Sequence, residues 1–70
     1  MERHVLSVMP DRSGWVLVDG GQQVERFRTR QGAIAIGEVK AYKLFQFTGT
    51  PSALAVFVDD TTSMTEVQFG

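Results

Sequence analysis

The sequence predicts an α+β fold in which one helix packs on a mainly antiparallel, curled sheet, in the order β-β-β-α-β-β. Three observations support this prediction. Short apolar segments alternate with polar residues as strands do, adjacent glycines at Gly20 and Gly21 indicate a tight hairpin, and one long segment between Thr29 and Gly49 has helical periodicity. The chain has 70 residues and is expected to form one domain, residues 1–70, with a thin core.

The first three strands are predicted from alternation and from turn residues. Residues 3–9 alternate loosely, so that His4, Leu6 and Val8 would share one face. Residues 10–14 combine proline, aspartate, serine and glycine, a composition typical of a chain reversal. Strand two is predicted over residues 15–19. The two glycines then supply the positive φ angles of a tight turn before strand three, at residues 22–27.

The helix is predicted between Thr29, a suitable N-cap, and Gly49, a suitable terminator. One continuous arc of its surface is expected to face the sheet. Small residues recur every four positions within this arc, which favours a close approach of helix and sheet. The residues of the arc are Ala33, Ile34, Gly37, Ala41, Leu44, Phe45 and Thr48.

Two strands are predicted after the helix. Residues 53–59 are apolar on both faces, which is typical of a strand inside a sheet. Residues 59–63 favour a turn, and residues 64–69 form the last strand, with Val67 and Phe69 on the opposite side from Glu66 and Gln68.

Composition narrows the classes of function. The chain has no cysteine and one histidine, which excludes disulfides, thiolate catalysis and cysteine or multi-histidine metal sites, and we expect no cofactor. The longest apolar run, residues 53–58, is far shorter than the roughly 20 residues that cross a bilayer. We therefore expect a cytoplasmic protein that is not exported and has no membrane partner.

Several short motifs, together with the element order, resemble a family of small bacterial proteins catalogued as domain of unknown function 2188. Its members typically run His-Val-Val-Pro, Gly-Trp-x-Val, a threonine-led helix rich in Ala and Ile, a strand-turn-strand and a final Tyr-Gly. The helix of this chain has fewer Glu and Arg residues than is typical. The resemblance implies the fold and a bacterial setting. It carries no activity to this chain, because the family has no assigned chemistry. The matching positions are His4 to Leu6, Gly14-Trp15, Ala33-Ile34 and Phe69-Gly70.

The sequence contains no residue pattern typical of a catalytic or metal site. His4, the one histidine, is predicted to be exposed or on an edge strand, without a nucleophile motif around it. The acidic pair Asp59-Asp60 lacks the ligand ladder of a calcium loop and is expected to be a solvated turn. We therefore expect no catalytic and no metal-binding residues, and a protein that is not an enzyme.

A cluster of arginines is the candidate anion site. Arg26, Arg28 and Arg30 recur at every second residue, so at least the first two would project from one face near the start of the helix. Such a patch could hold nucleic-acid phosphates in a salt-sensitive way. The net charge of −1 and the adjacent Glu25 favour an ordinary solvated edge, so nucleic-acid binding is the alternative function.

Surplus apolar surface is the most informative feature. One helix covers one face of a sheet, yet residues on both faces of the strands are apolar. Either the sheet curls on itself or a second copy packs against it. The leading hypothesis is therefore a protein-interaction module that forms a homodimer or binds another protein. The candidate interface residues are Val16, Val18, Ile36, Val39 and Phe47.

Overall fold

The computed structural model describes residues 3–59 and 61–70, which form five strands and one helix. The elements are β1 (His4–Asp11), β2 (Gly14–Asp19), β3 (Gln22–Phe27), α1 (Arg30–Thr48), β4 (Ser52–Phe57) and β5 (Ser63–Phe69). The strands form one sheet in the order β3-β2-β1-β4-β5. β1 and β4 are parallel, and the other neighbours are antiparallel. The predicted α+β class and element order are confirmed.

The connection through α1 explains the single parallel pair. β3 lies at one edge of the sheet, and α1 carries the chain back across β2 and β1 to place β4 beside β1. Parallel neighbours need such a crossover because a tight hairpin can join only antiparallel strands. This route puts the helix over one face of the sheet.

The first two hairpins have tight turns. Gly20 and Gly21 have φ angles of 60° and 84°, as predicted. The first turn is shorter than the predicted residues 10–14, because Pro10 still belongs to β1 and lies opposite Trp15. The pairing of β1 with β4 ends at Val8, so Pro10 has a neighbouring strand on one side only, where proline is tolerated.

Both ends of α1 are capped as predicted. The Gly32 N–H donates to Thr29 Oγ1 over 3.0 Å at the start of the helix. At its end, Gly49 has a left-handed φ of 73° and its N–H donates to Phe45 O over 2.9 Å. Thr48, expected in the core-facing arc, is exposed instead, and its hydroxyl donates to Leu44 O over 2.5 Å.

The core lies between α1 and the sheet. Ala33, Gly37 and Ala41 form the buried ridge of the helix, which confirms the predicted four-residue spacing of small side chains. Partly buried aromatic and aliphatic residues surround the centre, among them Trp15, Phe27 and Phe69. The buried sheet residues at the centre are Leu6, Val8, Leu17, Leu54 and Val56.

The turn between β4 and β5 lies one residue earlier than predicted, at residues 58–62 instead of 59–63. β4 ends at Phe57, so Val58 is an exposed turn residue rather than part of a strand. Asp59 Oδ1 accepts from the N–H groups of Thr61 and Thr62, at 2.9 and 2.8 Å. These bonds lower the pKa of the Asp59 carboxyl below its ordinary value of 3.8. The second member of the predicted acidic pair, Asp60, lies outside the described residues.

Candidate interaction surfaces

The sheet face opposite α1 is a strip of mainly apolar side chains, here called the open sheet face. Its residues alternate along each strand with the core residues and therefore point away from the helix. Register places Met9 beside Val16, Ser7 beside both Val18 and Ala55, and Val5 beside Ala53. The apolar members of the open sheet face are Val5, Met9, Val16, Val18, Ala53, Ala55 and Phe57.

The open sheet face is partly shielded by its own side chains. Val16 and Ala53 are only 4% exposed, although no element among the described residues lies over them. Val5 is 45% exposed at one end of the strip. Val16 is therefore a floor residue of this face, whereas Val5 is exposed and Val18 is partly exposed to an approaching molecule.

The other candidate interface residues lie on the opposite side of the molecule. Ile36, Val39 and Phe47 are exposed on the outer surface of α1, and Phe47 is 81% exposed. Val39 and Phe47 line a shallow depression of about 460 Å³. Tyr42 borders this depression, and its ring packs edge-on against that of Phe69, with the ring centroids 5.4 Å apart. The five candidate interface residues thus divide between two separate surfaces, the open sheet face and the outer surface of α1.

Phe47 also borders a groove between the second half of α1 and strands β1 to β3, here called the helix-side groove. Its volume is about 320 Å³. The sequence did not reveal it, because its walls come from distant parts of the chain. The groove is lined by Leu6, Leu17, Asp19, Val24, Lys40, Lys43, Leu44, Phe47 and Thr48.

The three arginines of the predicted anion site differ in their hydrogen-bond and ion-pair partners. The Arg26 guanidinium forms an ion pair with Asp11 at 2.5 Å and donates to Ser13 Oγ over 3.1 Å. A bond from the Arg12 N–H, together with the charge of Arg26, lowers the pKa of the Asp11 carboxyl below 3.8. Arg28 and Arg30 are exposed beside the start of α1. Arg26, the first arginine of the patch, is therefore already paired with the Asp11 carboxylate.

Of the two predicted environments of His4, exposed or on an edge strand, the structure contradicts the second, and 40% of the side chain is exposed. β1 is flanked by β2 and β4, so His4 is not on an edge strand, and its Nε2 is 2.7 Å from Asp19 Oδ1. Ser52 is the register partner of His4 on β4. The Ser52 hydroxyl is fully buried and donates to Ala41 O over 2.6 Å, so it is held by the helix rather than presented as a nucleophile.

The described part of the chain has neither a cluster of metal ligands nor a membrane-spanning helix. Residues 3–59 and 61–70 contain no group of three or more His, Asp or Glu side chains placed to hold a metal ion. Within the same residues, no helix has the length and apolar character needed to cross a membrane.

Comparison with known proteins adds no relative. No protein-family model, curated protein or solved structure matches this chain.

Proposed function

We propose that this chain is a small, non-enzymatic, cytoplasmic protein-interaction module that self-associates as a two-fold dimer through the open sheet face. The observation that carries the proposal is the apolar strip opposite α1, where no described element covers the side chains. A contiguous apolar face of this kind is characteristic of a protein contact surface. Membership of the domain of unknown function 2188 family stays a prediction and contributes only the bacterial setting.

The composition of the open sheet face fits a contact between copies. Its centre consists of uncharged side chains, and polar residues such as Gln23, Thr65 and Gln68 lie toward its margins on the two edge strands. An apolar centre with a polar rim is the usual anatomy of an interface. The ion pair of Arg26 with Asp11 lies at one end of the strip and would be a rim contact.

The size of the open sheet face predicts a weak dimer. Five strands spaced at about 4.8 Å, with about six residues each, give a projected face of roughly 20 by 20 Å. Stable interfaces bury about 800 Å² per partner, so a face of roughly 400 Å² in projection is smaller than usual. We expect a dissociation constant in the micromolar range.

Sedimentation equilibrium between about 5 and 500 µM would test the proposal, because this range brackets micromolar affinity. The expected result is a mass that rises with concentration from 7.8 kDa toward twice that value. A constant 7.8 kDa mass over the whole range would overturn the proposed dimer.

A matched pair of variants would locate the contact. Val5 and Val24 are strand valines of nearly equal exposure, 45% and 48%, but Val5 is on the open sheet face and Val24 lines the helix-side groove. Val5→Lys should abolish dimerisation, because a charge would be buried at the interface, whereas Val24→Lys should leave it intact. Circular dichroism of both variants would confirm folding. Loss of the dimer with Val24→Lys alone would place the contact elsewhere and refute the open-face assignment.

A further inference from the structure

The helix-side groove has the construction of a small-molecule site. Its floor is made of leucine side chains from the sheet, Leu6 and Leu17, which are almost completely buried. Leu44 and the ring of Phe47 form the wall on the helix, and Val24 forms the wall on β3. At about 320 Å³ the groove is at the small end of the range for ligand pockets, which are mostly apolar with a few polar groups.

The polar groups of the groove favour an anion. Lys40 and Lys43 contribute two ammonium groups, and neither forms an ion pair with a described residue. Asp19 is the one carboxylate in the lining, and its Oδ1 is already 2.7 Å from His4 Nε2. Two lysines and one aspartate leave one positive charge in excess beside an apolar trough, which complements a ligand with a single negative charge.

We propose that the helix-side groove binds a small amphipathic carboxylic acid, with its aliphatic or aromatic body against the leucines and Phe47 and its carboxylate between Lys40 and Lys43. Each part of this ligand has a matching group in the groove. The apolar body removes the exposed Phe47 ring and Val24 from water, and the carboxylate accepts from the lysine ammonium groups. This inference does not depend on dimerisation, because the open sheet face is on the other side of the sheet.

Amide chemical-shift mapping with decanoate, kept below its micelle concentration, would test the site. The expected result is saturable shifts confined to the second half of α1 and to the parts of β2 and β3 around Leu17 and Val24. Two probes with the same tail provide the controls: decanol, which has no charge, and decyltrimethylammonium, which is cationic. Both should bind more weakly than decanoate. Equal binding of all three, or shifts centred on the open sheet face, would overturn the proposal.

Charge-matched variants would test the role of the lysines. Replacing both Lys40 and Lys43 with Gln should raise the dissociation constant for decanoate by about three- to thirtyfold, the range that two partly exposed charge pairs supply. Replacing Arg12 and Arg28 with Gln removes the same charge from exposed positions outside the groove and should change affinity less than twofold. Equal loss in both double variants would show a general charge effect and refute the site.

The same spectra identify a competing occupant. If Phe47 of a second copy filled the groove, groove resonances would shift with protein concentration alone and decanoate would not compete. That result would overturn the ligand proposal. Resonances of the open sheet face report dimerisation independently, so the two proposals can fail separately.

Discussion

Gly37 of the helix lies directly on Leu54 of the sheet. A Cβ atom added to Gly37 would be 2.8 Å from Leu54 Cδ1 and 3.3 Å from Leu17 Cδ1. Ordinary carbon contacts lie at about 3.5 to 4.0 Å, so this position has no room for a methyl group. The spacing between helix and sheet is therefore set by glycine at this point, with Ala33 and Ala41 one turn away on either side.

The first prediction is that Gly37→Ala destabilises the protein by about 1–3 kcal/mol through overpacking. Alanine is the better helix former by about 1 kcal/mol, so a helix without tertiary contacts would respond in the opposite direction. Urea unfolding of both proteins at the same protein concentration would measure the difference in the free energy of unfolding.

A double-mutant cycle provides the control for this contact. Leu54→Val shortens the side chain that the new methyl group meets, so the double variant should be more stable than the sum of the two single effects predicts. Additive losses would show that the cost of Gly37→Ala does not come from Leu54.

A second prediction concerns the hydrogen bond between β4 and the helix. The buried Ser52 hydroxyl donates to Ala41 O over 2.6 Å. Ser52→Ala should lower the free energy of unfolding by about 0.5–1.5 kcal/mol, because the bond is lost in a dry environment. Ser63→Ala, at an exposed position of β5, should change it by less than about 0.5 kcal/mol. Similar effects of the two substitutions would mean that the Ser52 bond contributes nothing.

Much of the fold was predictable because it depends on short-range chemistry. The capping threonine, the terminating Gly49 and the adjacent glycines of the second hairpin each have a local physical role, and the structure places all of them as predicted. The small-residue ridge of the helix was visible as a four-residue spacing. The periodicity of apolar and small residues therefore predicted both the elements and the face of the helix that packs on the sheet.

The surfaces were harder to predict because they depend on strand order. Nothing in the local sequence indicates that β1 pairs with β4, which makes β1 an internal strand and brings Ser52 beside His4. The same long-range register places Asp19 within reach of His4, 15 residues earlier, and assembles the helix-side groove from three parts of the chain. Exposed apolar residues were identified correctly on the helix, whereas the near-complete burial of Val16 on the open sheet face was not predicted.

A third prediction concerns pH. The pKa of the Asp59 carboxyl is lowered by bonds from the Thr61 and Thr62 N–H groups. A lowered pKa in the folded state means that the carboxylate stabilises the fold at pH values above its ordinary value of 3.8. This contribution is lost as the pH falls through the lower folded value. A carboxyl-detected NMR titration should place the Asp59 midpoint below 3.8.

Asp59→Asn is the matching control. The amide oxygen can accept the same N–H bonds but does not titrate, so the variant should lose this part of the pH dependence while keeping the turn. An Asp59 midpoint at or above 3.8 would contradict the role of the turn bonds.

A fourth prediction addresses the arginine patch. Because Asp11 pairs with Arg26, we expect weak binding of single- and double-stranded DNA, detectable by fluorescence anisotropy only at low salt. Asp11→Asn removes the competing carboxylate, so any phosphate contact by Arg26 should strengthen. Tight, salt-sensitive binding by the unaltered protein that Arg28→Ala abolishes would instead establish the nucleic-acid function.

The last prediction separates surface from core on a single helix. Phe47 is 81% exposed, whereas Leu44, three residues earlier, is half-buried against the core. Phe47→Gln should change the free energy of unfolding by less than about 0.5 kcal/mol, as for other surface positions. Leu44→Ala should cost about 2 kcal/mol, the low end of the range for truncating a core leucine, because Leu44 is only partly buried. Both values come from urea unfolding at a protein concentration low enough to keep the chain monomeric. A large loss on Phe47→Gln would mean that this ring is packed in the monomer, so that it is neither available to a ligand in the helix-side groove nor surplus to the fold.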